Sequence, residues 1–385
     1  MLFLHLEVSE PMKILFIGDY SNLHTTLARE LRKMGHQADV LSDGCGYMNL
    51  STDFYLKRQP GIKGSFKYLF DIFNLLPKIK DYDVVQLINS NFLSLKPQKI
   101  KYFFDIIKKQ NRSTFLTLAG NDYFYVKACY DAKLFRYSEF KIGNNFTAGH
   151  LAKPSHMYGW MSYANKHWAE YLLSNIDGAM AVLPEYEMPV RDILGEKVCF
   201  TNLPVDFSEL PSNPVNFKDD KVNLLIGMRS KVEDFKGTKI LYKIAKELEE
   251  EMSGKVSVDL VKDVSLKEFL DRMSQSDIVL DQLYSYSPAM TALYGMALSK
   301  VVATGAQPEY YEAIGNPEDK PLFSLSPLDT DVKERLKLLI DNKEEILKRG
   351  SQSFKIVKDN NDSKLVAQRF LNHWQSRIPD FTSAY

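Results

Sequence analysis

Apolar residues in this chain gather in short unbroken runs, and the stretches between them carry apolar positions three and four residues apart. The first pattern belongs to strands buried on both faces, the second to helices with one buried stripe. Residues 13–18, KILFIG, form a strand of the first kind. Residues 24–34 follow as a helix with Leu27, Leu31 and Met34 on one face and Gly35 at its end. Further strands are expected at 37–41, 83–88, 114–118 and 178–183, with helices at 65–76, 97–109 and 164–174. The aromatic-rich segment 123–163 fits neither pattern and reads as an irregular insertion. A second cycle begins beyond the Pro- and Asn-containing stretch 202–219. Its strands are expected at 222–227, 256–261, 277–281 and 300–304, its helices at 238–252, 265–274, 288–298, 331–350 and 362–376. Strand and helix in alternation imply parallel sheets with right-handed crossovers. Two such cycles imply an α/β chain of two doubly wound domains facing a cleft.

Composition narrows the classes of function. Hydrophobic residues are 45% and charged residues 25%, so the chain can bury a core and is not globally disordered. Basic and acidic residues are equal at 49 each, which disfavours a dedicated nucleic-acid binder. The zero net charge hides an asymmetry. Residues 1–200 carry 24 Lys and Arg against 20 Asp and Glu, and residues 201–385 carry 25 against 29. The excess concentrates in residues 51–110, with 11 against 5, interleaved with Phe54, Tyr55, Phe66, Tyr68, Phe70 and Phe73. Cations mixed with aromatic rings suit peripheral attachment to an anionic membrane surface, and equally a core helix with a solvated basic face. Cys45, Cys129 and Cys199 lie far apart with no CxxC pair, so a reducing, cytoplasmic setting is expected. No apolar run reaches the length of a membrane span. Residues 1–11 carry Glu7 and Glu10 and no basic run, and read as an upstream extension rather than a signal peptide.

In open α/β sheets ligands bind beyond the carboxyl ends of the strands, which directs attention to the loops there. The first loop, Gly18 to His24, matches neither GxGxxG nor GxxxxGK[ST], so a nicotinamide dinucleotide site and a P-loop are not expected. The loop from Met228 to Gly237 places Arg229 and Lys236 at the second sheet's edge. A planar guanidinium fork and an ammonium point charge together suit a diphosphate. In the loop Ala119-Gly120-Asn121-Asp122, Asp122 reads either as a base that positions a hydroxyl or as the cap of the next helix. His24 likewise reads as a cleft residue or as a capping or solvated one.

The segment from Asp277 to Glu312 carries a resemblance. Tyr286-Ser287-Pro288-Ala289-Met290-Thr291-Ala292-Leu293-Tyr294-Gly295-Met296-Ala297, followed by Gly305-Ala306-Gln307-Pro308-Glu309, resembles the carboxy-terminal domain of family 4 glycosyltransferases. Those enzymes have the GT-B fold of two Rossmann-like domains. Arg229 and Lys236 resemble the family's G-R-x(n)-K-G element, whose cations grip the donor diphosphate. The opening strand–helix–strand, with Gly35 and His36, and the linker Leu203-Pro204-Val205-Asp206 resemble further elements of it. The likeness runs from Met12 to about residue 376 and is weakest over 44–80 and 123–165.

The resemblance implies two Rossmann-like domains, 12–202 for the acceptor and 203–361 for the donor, with the helix 362–376 crossing back to the first. It implies retaining transfer from a nucleotide-diphosphate sugar to a growing glycan or lipid-linked saccharide, with no cofactor. Donor contacts fall to Arg229, Lys236, Tyr286, Ser287, Ala289, Met290, Thr291 and Tyr294, and the acceptor side to Gly18, His24 and Gly120. One departure is plain. The family's two motif glutamates fall at Tyr286 and Tyr294, and a tyrosine supplies no carboxylate. Tyr286, ahead of the helix, is expected to turn its ring to the cleft, whereas Tyr294 reads as a packing residue or a ligand contact. The departure also admits a catalytically silent GT-B protein that acts as a binding or scaffolding partner. A nucleotide-sugar epimerase is weakened by the missing dinucleotide glycines. Asp81-Tyr82-Asp83 and Asp329-Thr330-Asp331 match the DxD string of GT-A enzymes, but they stand ahead of a strand and at the start of a helix. They read as turn and cap residues, and no metal is expected.

Overall fold

The apolar runs become the strands of two parallel sheets. The computed structural model describes residues 11–378, apart from 46, 47, 49, 213, 215, 230–232 and 317. Residues 1–10 of the upstream extension and Ser230, Lys231 and Val232 of the cationic loop therefore lie outside the described residues. The first sheet holds β1 (Lys13–Ile17), β2 (Gln37–Ser42), β3 (Phe54–Tyr55), β4 (Val84–Leu87), β5 (Thr114–Leu118), β8 (Gly178–Ala181) and β9 (Val198–Phe200). Between β5 and β8 lies a hairpin of β6 (Lys141–Ile142) and β7 (Asn145–Phe146). The second sheet holds β10 (Val222–Met228), β11 (Val256–Lys262), β12 (Ile278–Leu280), β13 (Val301–Thr304) and β14 (Phe323–Ser324). The strand orders are β3-β2-β1-β4-β5-β8-β9 and β11-β10-β12-β13-β14, parallel throughout. Each order reverses once, between β1 and β4 and between β10 and β12. Such switch points open a crevice at the carboxyl edge of a sheet.

The short edge strands β3, β9 and β14 escaped the sequence pattern, as did the helix Pro308–Ala313. The segment 123–163 is more regular than expected. It forms the helices Tyr123–Asp131, Ala148–Ala152 and Pro154–Trp160 around the hairpin, over a core of Val126, Cys129, Phe135, Tyr137, Phe140 and Met157.

The last helix, Ser363–Arg377, packs on the first sheet, as the resemblance implies. It is preceded by a crossing in which Val205 N–H donates to Asn361 O at 2.7 Å and Ser363 N–H donates to Val205 O at 3.0 Å. Trp374 is fully buried and donates from Nε1 to Gln86 Oε1 at 2.9 Å. Gln86 Nε2 donates in turn to Thr117 Oγ1 at 2.9 Å, so the final helix joins a polar chain inside the first domain.

Candidate functional site

At the second switch point the loops after β10 and β12 lock together. Leu283 N–H donates to Lys236 O at 2.8 Å. Gly237 has φ 72° and begins the helix Thr238–Glu251; a Cβ there would stand 2.8 Å from Leu283 Cβ. Glycine is thus required both by the left-handed backbone and by the close approach. The loop after β13 lies closer still. A Cβ on Gly305 would stand 1.8 Å from Ser285 O, and Gln307 N–H donates to Tyr286 O at 2.9 Å.

A cavity of about 320 Å³ opens over this edge. Arg229, Lys236, Ala289, Met290, Thr291 and Tyr294 line it from the second domain, and Tyr20, Ser21, Gly120, Leu183 and Tyr186 from the first. The helix Met290–Ala297 starts at Ala289 without a side-chain cap. The first-turn N–H groups of a helix lack intrahelical partners, and they favour an anion. Lys236 Nζ lies 3.9 Å from Oδ1 of buried Asp281, whose other oxygen accepts from Thr304 Oγ1 at 3.1 Å. Burial pushes the Asp281 carboxyl up, and Lys236 draws it back down.

A second cavity of about 410 Å³ adjoins the first and shares Leu183, Tyr186, Lys236 and Ala289 with it. Its walls include Asn121, Glu139, Glu185 and Gln282. Glu185 is buried and accepts from Ser287 Oγ at 2.6 Å; Glu139 is half-buried and accepts from Asn121 Nδ2 at 2.8 Å. Desolvation raises both carboxyls, while these hydrogen bonds lower them, as does Lys236 for Glu139. Sequence reasoning missed both. Glu185 carried a signal, an acid two residues after the apolar run of β8, at the sheet edge where ligands bind. Glu139 carried none.

Several expected site residues stand elsewhere. Tyr286 lines neither cavity. It is buried at 4% exposure, stacked on Tyr137 at 4.7 Å, and its hydroxyl accepts from Arg136 N–H at 2.5 Å. Instead of turning to the cleft, it plugs the aromatic core of the 123–163 insertion. Tyr294 does line the first cavity while buried at 7% exposure. Arg136 completes the clasp with two contacts to Glu309, at 2.6 and 3.2 Å, and one to Gln307 at 3.2 Å. Ser287 is spent on Glu185 across the same interface.

Asp122 caps the helix Tyr123–Asp131, accepting from Tyr125 N–H at 2.8 Å, and it lines neither cavity. Burial pushes its carboxyl up to about 6. His24 is not a cleft residue, because the helix it begins turns its ring into the core against Phe16. Thr117 Oγ1, already accepting from Gln86, is free to donate to His24 Nε2 at 3.0 Å, which leaves Nδ1–H to donate to Gly18 O at 2.7 Å. The ring is thus held neutral, and burial drives its pKa down to about 3. Gly18, with φ 81°, packs a would-be Cβ 2.3 Å from Ile88 Cγ2, while Gly120 does reach the first cavity.

Asp83 accepts from Lys13 N–H at 2.8 Å and so ties the start of β4 to β1 rather than serving a turn, while Asp329 accepts from Ser326 N–H at 3.0 Å within a turn. Among the described residues, no three His, Cys, Asp or Glu side chains are grouped to hold a metal ion.

No family model and no curated protein sequence matches this chain. Solved structures do. Sucrose-phosphate synthase from Thermosynechococcus elongatus superposes with a TM-score of 0.61 at 11% identity, over 94% of this chain and 98% of its own. HepE from Anabaena, solved in complex with UDP-glucose, gives 0.58 at 12% identity over 95% and 100%. A putative UDP-N-acetylglucosamine 2-epimerase from Listeria monocytogenes gives 0.57 at 10% identity over 94% and 95%. The chain therefore has the α/β GT-B fold. Identities this low speak to fold alone, and a fold hosts more than one chemistry.

Proposed function

We propose that this chain is a glycosyltransferase that moves a sugar from a nucleoside-diphosphate sugar to an acceptor hydroxyl. One observation carries the reading: Arg229, Lys236 and the first turn of the helix Met290–Ala297 converge on one cavity at the switch point of the second sheet. Three sources of positive potential around one space match a diphosphate. As the bond from the anomeric carbon to the diphosphate breaks, the diphosphate keeps the electron pair, and the two cations stabilise the charge that grows on it. The acceptor oxygen bonds to the anomeric carbon, and its proton passes to the departing diphosphate or to solvent. No cofactor enters this balance, and the cations fill the charge role that a metal ion fills elsewhere.

In this reading the sugar reaches into the adjoining cavity. Glu185 and Glu139 there supply the carboxylates that positions 286 and 294 lack. The donor belongs to residues 203–361, and the acceptor to 12–202 with the helix 362–376, entering past Gly120 and Tyr20. Retention of configuration and a glycan or lipid-linked acceptor follow from the resemblance. The free cysteines fit a reducing, cytoplasmic setting.

The clasp favours a second reading. Tyr286 and Ser287, both spent on the first domain, also suit a silent GT-B protein that binds a nucleotide and turns nothing over. The test is a thermal-shift series with UDP, ADP and GDP, followed by the matching nucleotide sugars. A ligand at a hundred times its Kd stabilises by about 2.7 kcal/mol, which is readily seen. Stabilisation with turnover to a glycoside or free sugar is expected. Stabilisation without turnover selects the silent protein, an epimerised nucleotide sugar selects an isomerase, and no shift with any nucleotide overturns the site.

A further inference from the structure

The helix Gly61–Leu75 has two apolar faces, and only one is used by the fold. Gly64, Tyr68 and Ile72 are buried against the first domain. Ile62, Phe66, Phe70 and Phe73 are exposed by 78%, 70%, 65% and 49%. At 3.6 residues per turn, these four fall within about 80° of one another, centred about 160° from the buried set. They point directly away from the core. Tyr102, exposed by 54%, extends the patch, since Tyr102 packs edge-on to Phe103 and Phe103 to Phe73. A soluble surface scatters its exposed rings singly, and a row of them marks a contact surface.

The charge around this row selects its occupant. Lys57, Lys63 and Lys78 are exposed beside it, in the stretch 51–110 where basic residues outnumber acidic ones 11 to 5. A second copy of this chain, meeting the row face to face, would bring two basic rims together, which opposes association. An anionic lipid surface offers both complements, an apolar layer for the rings and negative headgroups for the lysines. Among the described residues no helix is long and apolar enough to cross a membrane, so the contact lies in the interface plane.

We infer that the helix Gly61–Leu75 is an interfacial anchor that docks the first domain on anionic lipid bilayers, with Ile62, Phe66 and Phe70 inserted and Lys57 and Lys63 on the headgroups. Arg58 ties the start of the helix to the loop after β4, donating to Ser94 O at 2.8 Å and to Ser65 Oγ at 2.9 Å. The anchor therefore begins at the sheet's carboxyl edge, where the cleft opens. A lipid-linked acceptor would meet the cleft from this side. That last link rests on the transferase reading, whereas the anchor itself does not.

Flotation of the full chain with phosphatidylcholine vesicles, with and without phosphatidylglycerol, tests the anchor independently of any nucleotide. Binding is expected to the anionic vesicles, weakening as salt is added. Phe66→Ser with Phe70→Ser should cut partitioning by about tenfold or more, because each ring leaves an apolar layer. Lys57→Gln and Lys63→Gln should each cost about fivefold on anionic vesicles and nothing on neutral ones. All four side chains are exposed, so the melting temperature should hold and report an intact fold. Failure of the wild-type chain to float, or equal binding with and without phosphatidylglycerol, overturns the inference. So does a dimer in light scattering that the Phe66/Phe70 variant dissolves while vesicle binding is unchanged.

Discussion

Two neighbouring pieces of one segment meet opposite fates. Ala289, Met290, Thr291 and Tyr294 line the first cavity, whereas Tyr286 and Ser287, only a few residues earlier, are committed to the first domain. Both pieces sit at the carboxyl edge of the second sheet, where the strand order says a ligand belongs. The difference lies in the opposite wall. The 123–163 insertion brings Arg136, Tyr137 and an aromatic core to meet Tyr286, and β8 leads into Glu185, which meets Ser287. Position in a Rossmann-like domain says which residues can reach a cleft. What the other domain offers decides which remain for a ligand.

The largest expected effect separates the two pieces. If the transferase reading holds, Arg229→Ala and Lys236→Ala should each lower transfer by about 10²-fold or more with the fold intact, because in that reading each removes a charge that faces the leaving diphosphate. At ~4 Å and an effective dielectric near 20, a cation–phosphate pair is worth ~4 kcal/mol before desolvation. Steady-state kinetics on the matching nucleotide sugar checks this, and near-normal activity in either variant removes it from the clamp.

A middle-sized effect contrasts the two sides of the clasp. Glu185→Gln keeps an acceptor for Ser287 but loses the charge, so kcat/KM should fall about tenfold, the scale of one charged hydrogen bond. Its melting temperature should hold or rise, since a neutral amide is less costly to bury than a carboxylate. Tyr286→Phe should do the reverse, costing about 1–2 kcal/mol of stability from an unanswered Arg136 amide while kcat/KM changes little. Denaturant melts and kinetics on both variants read the contrast. A Tyr286→Phe variant with a raised donor KM and unchanged stability would return the tyrosine to the donor site.

The smallest effect is in pH. The His24 pKa falls from 6.5 to about 3 on folding, so the unfolded chain takes up a proton first as the medium acidifies. His24's contribution is whole above pH 6.5 and is lost as pH falls towards 3, by about 0.7 kcal/mol between pH 7 and 6. Asp122, pushed up to about 6, acts in the opposite sense, so the measurement must be residue-specific. The NMR signals of the His24 ring should remain those of a neutral Nδ1–H imidazole at pH 5, and titration near 6.5 would refute the buried relay.

Most of the two sheets was legible because a strand buried on both faces must be an apolar run, as KILFIG and DIVLD are. β3 and β14 are two residues each and β9 three, too short to show a period. The cationic loop was legible from residue type and its place after β10. His24 and Tyr286 were misplaced for one reason: each partner lies far along the chain, Thr117 for the imidazole and Arg136 for the phenol. Loop position carries no trace of such partners. The aromatic stripe of Gly61–Leu75 was legible as composition, but only the fold says which face is left over.

The glycine at 305 has a bearing on how this cleft can be altered. With only hydrogen atoms between its backbone and Ser285 O, the loops after β12 and β13 are interlocked, and any side chain at 305 would drive them apart. A mutational library that varies either loop alone would therefore be dominated by clones that fail for reasons unrelated to substrate choice. Randomising 282–288 and 306–309 together, with 305 kept as glycine, would sample the combinations that this backbone can hold.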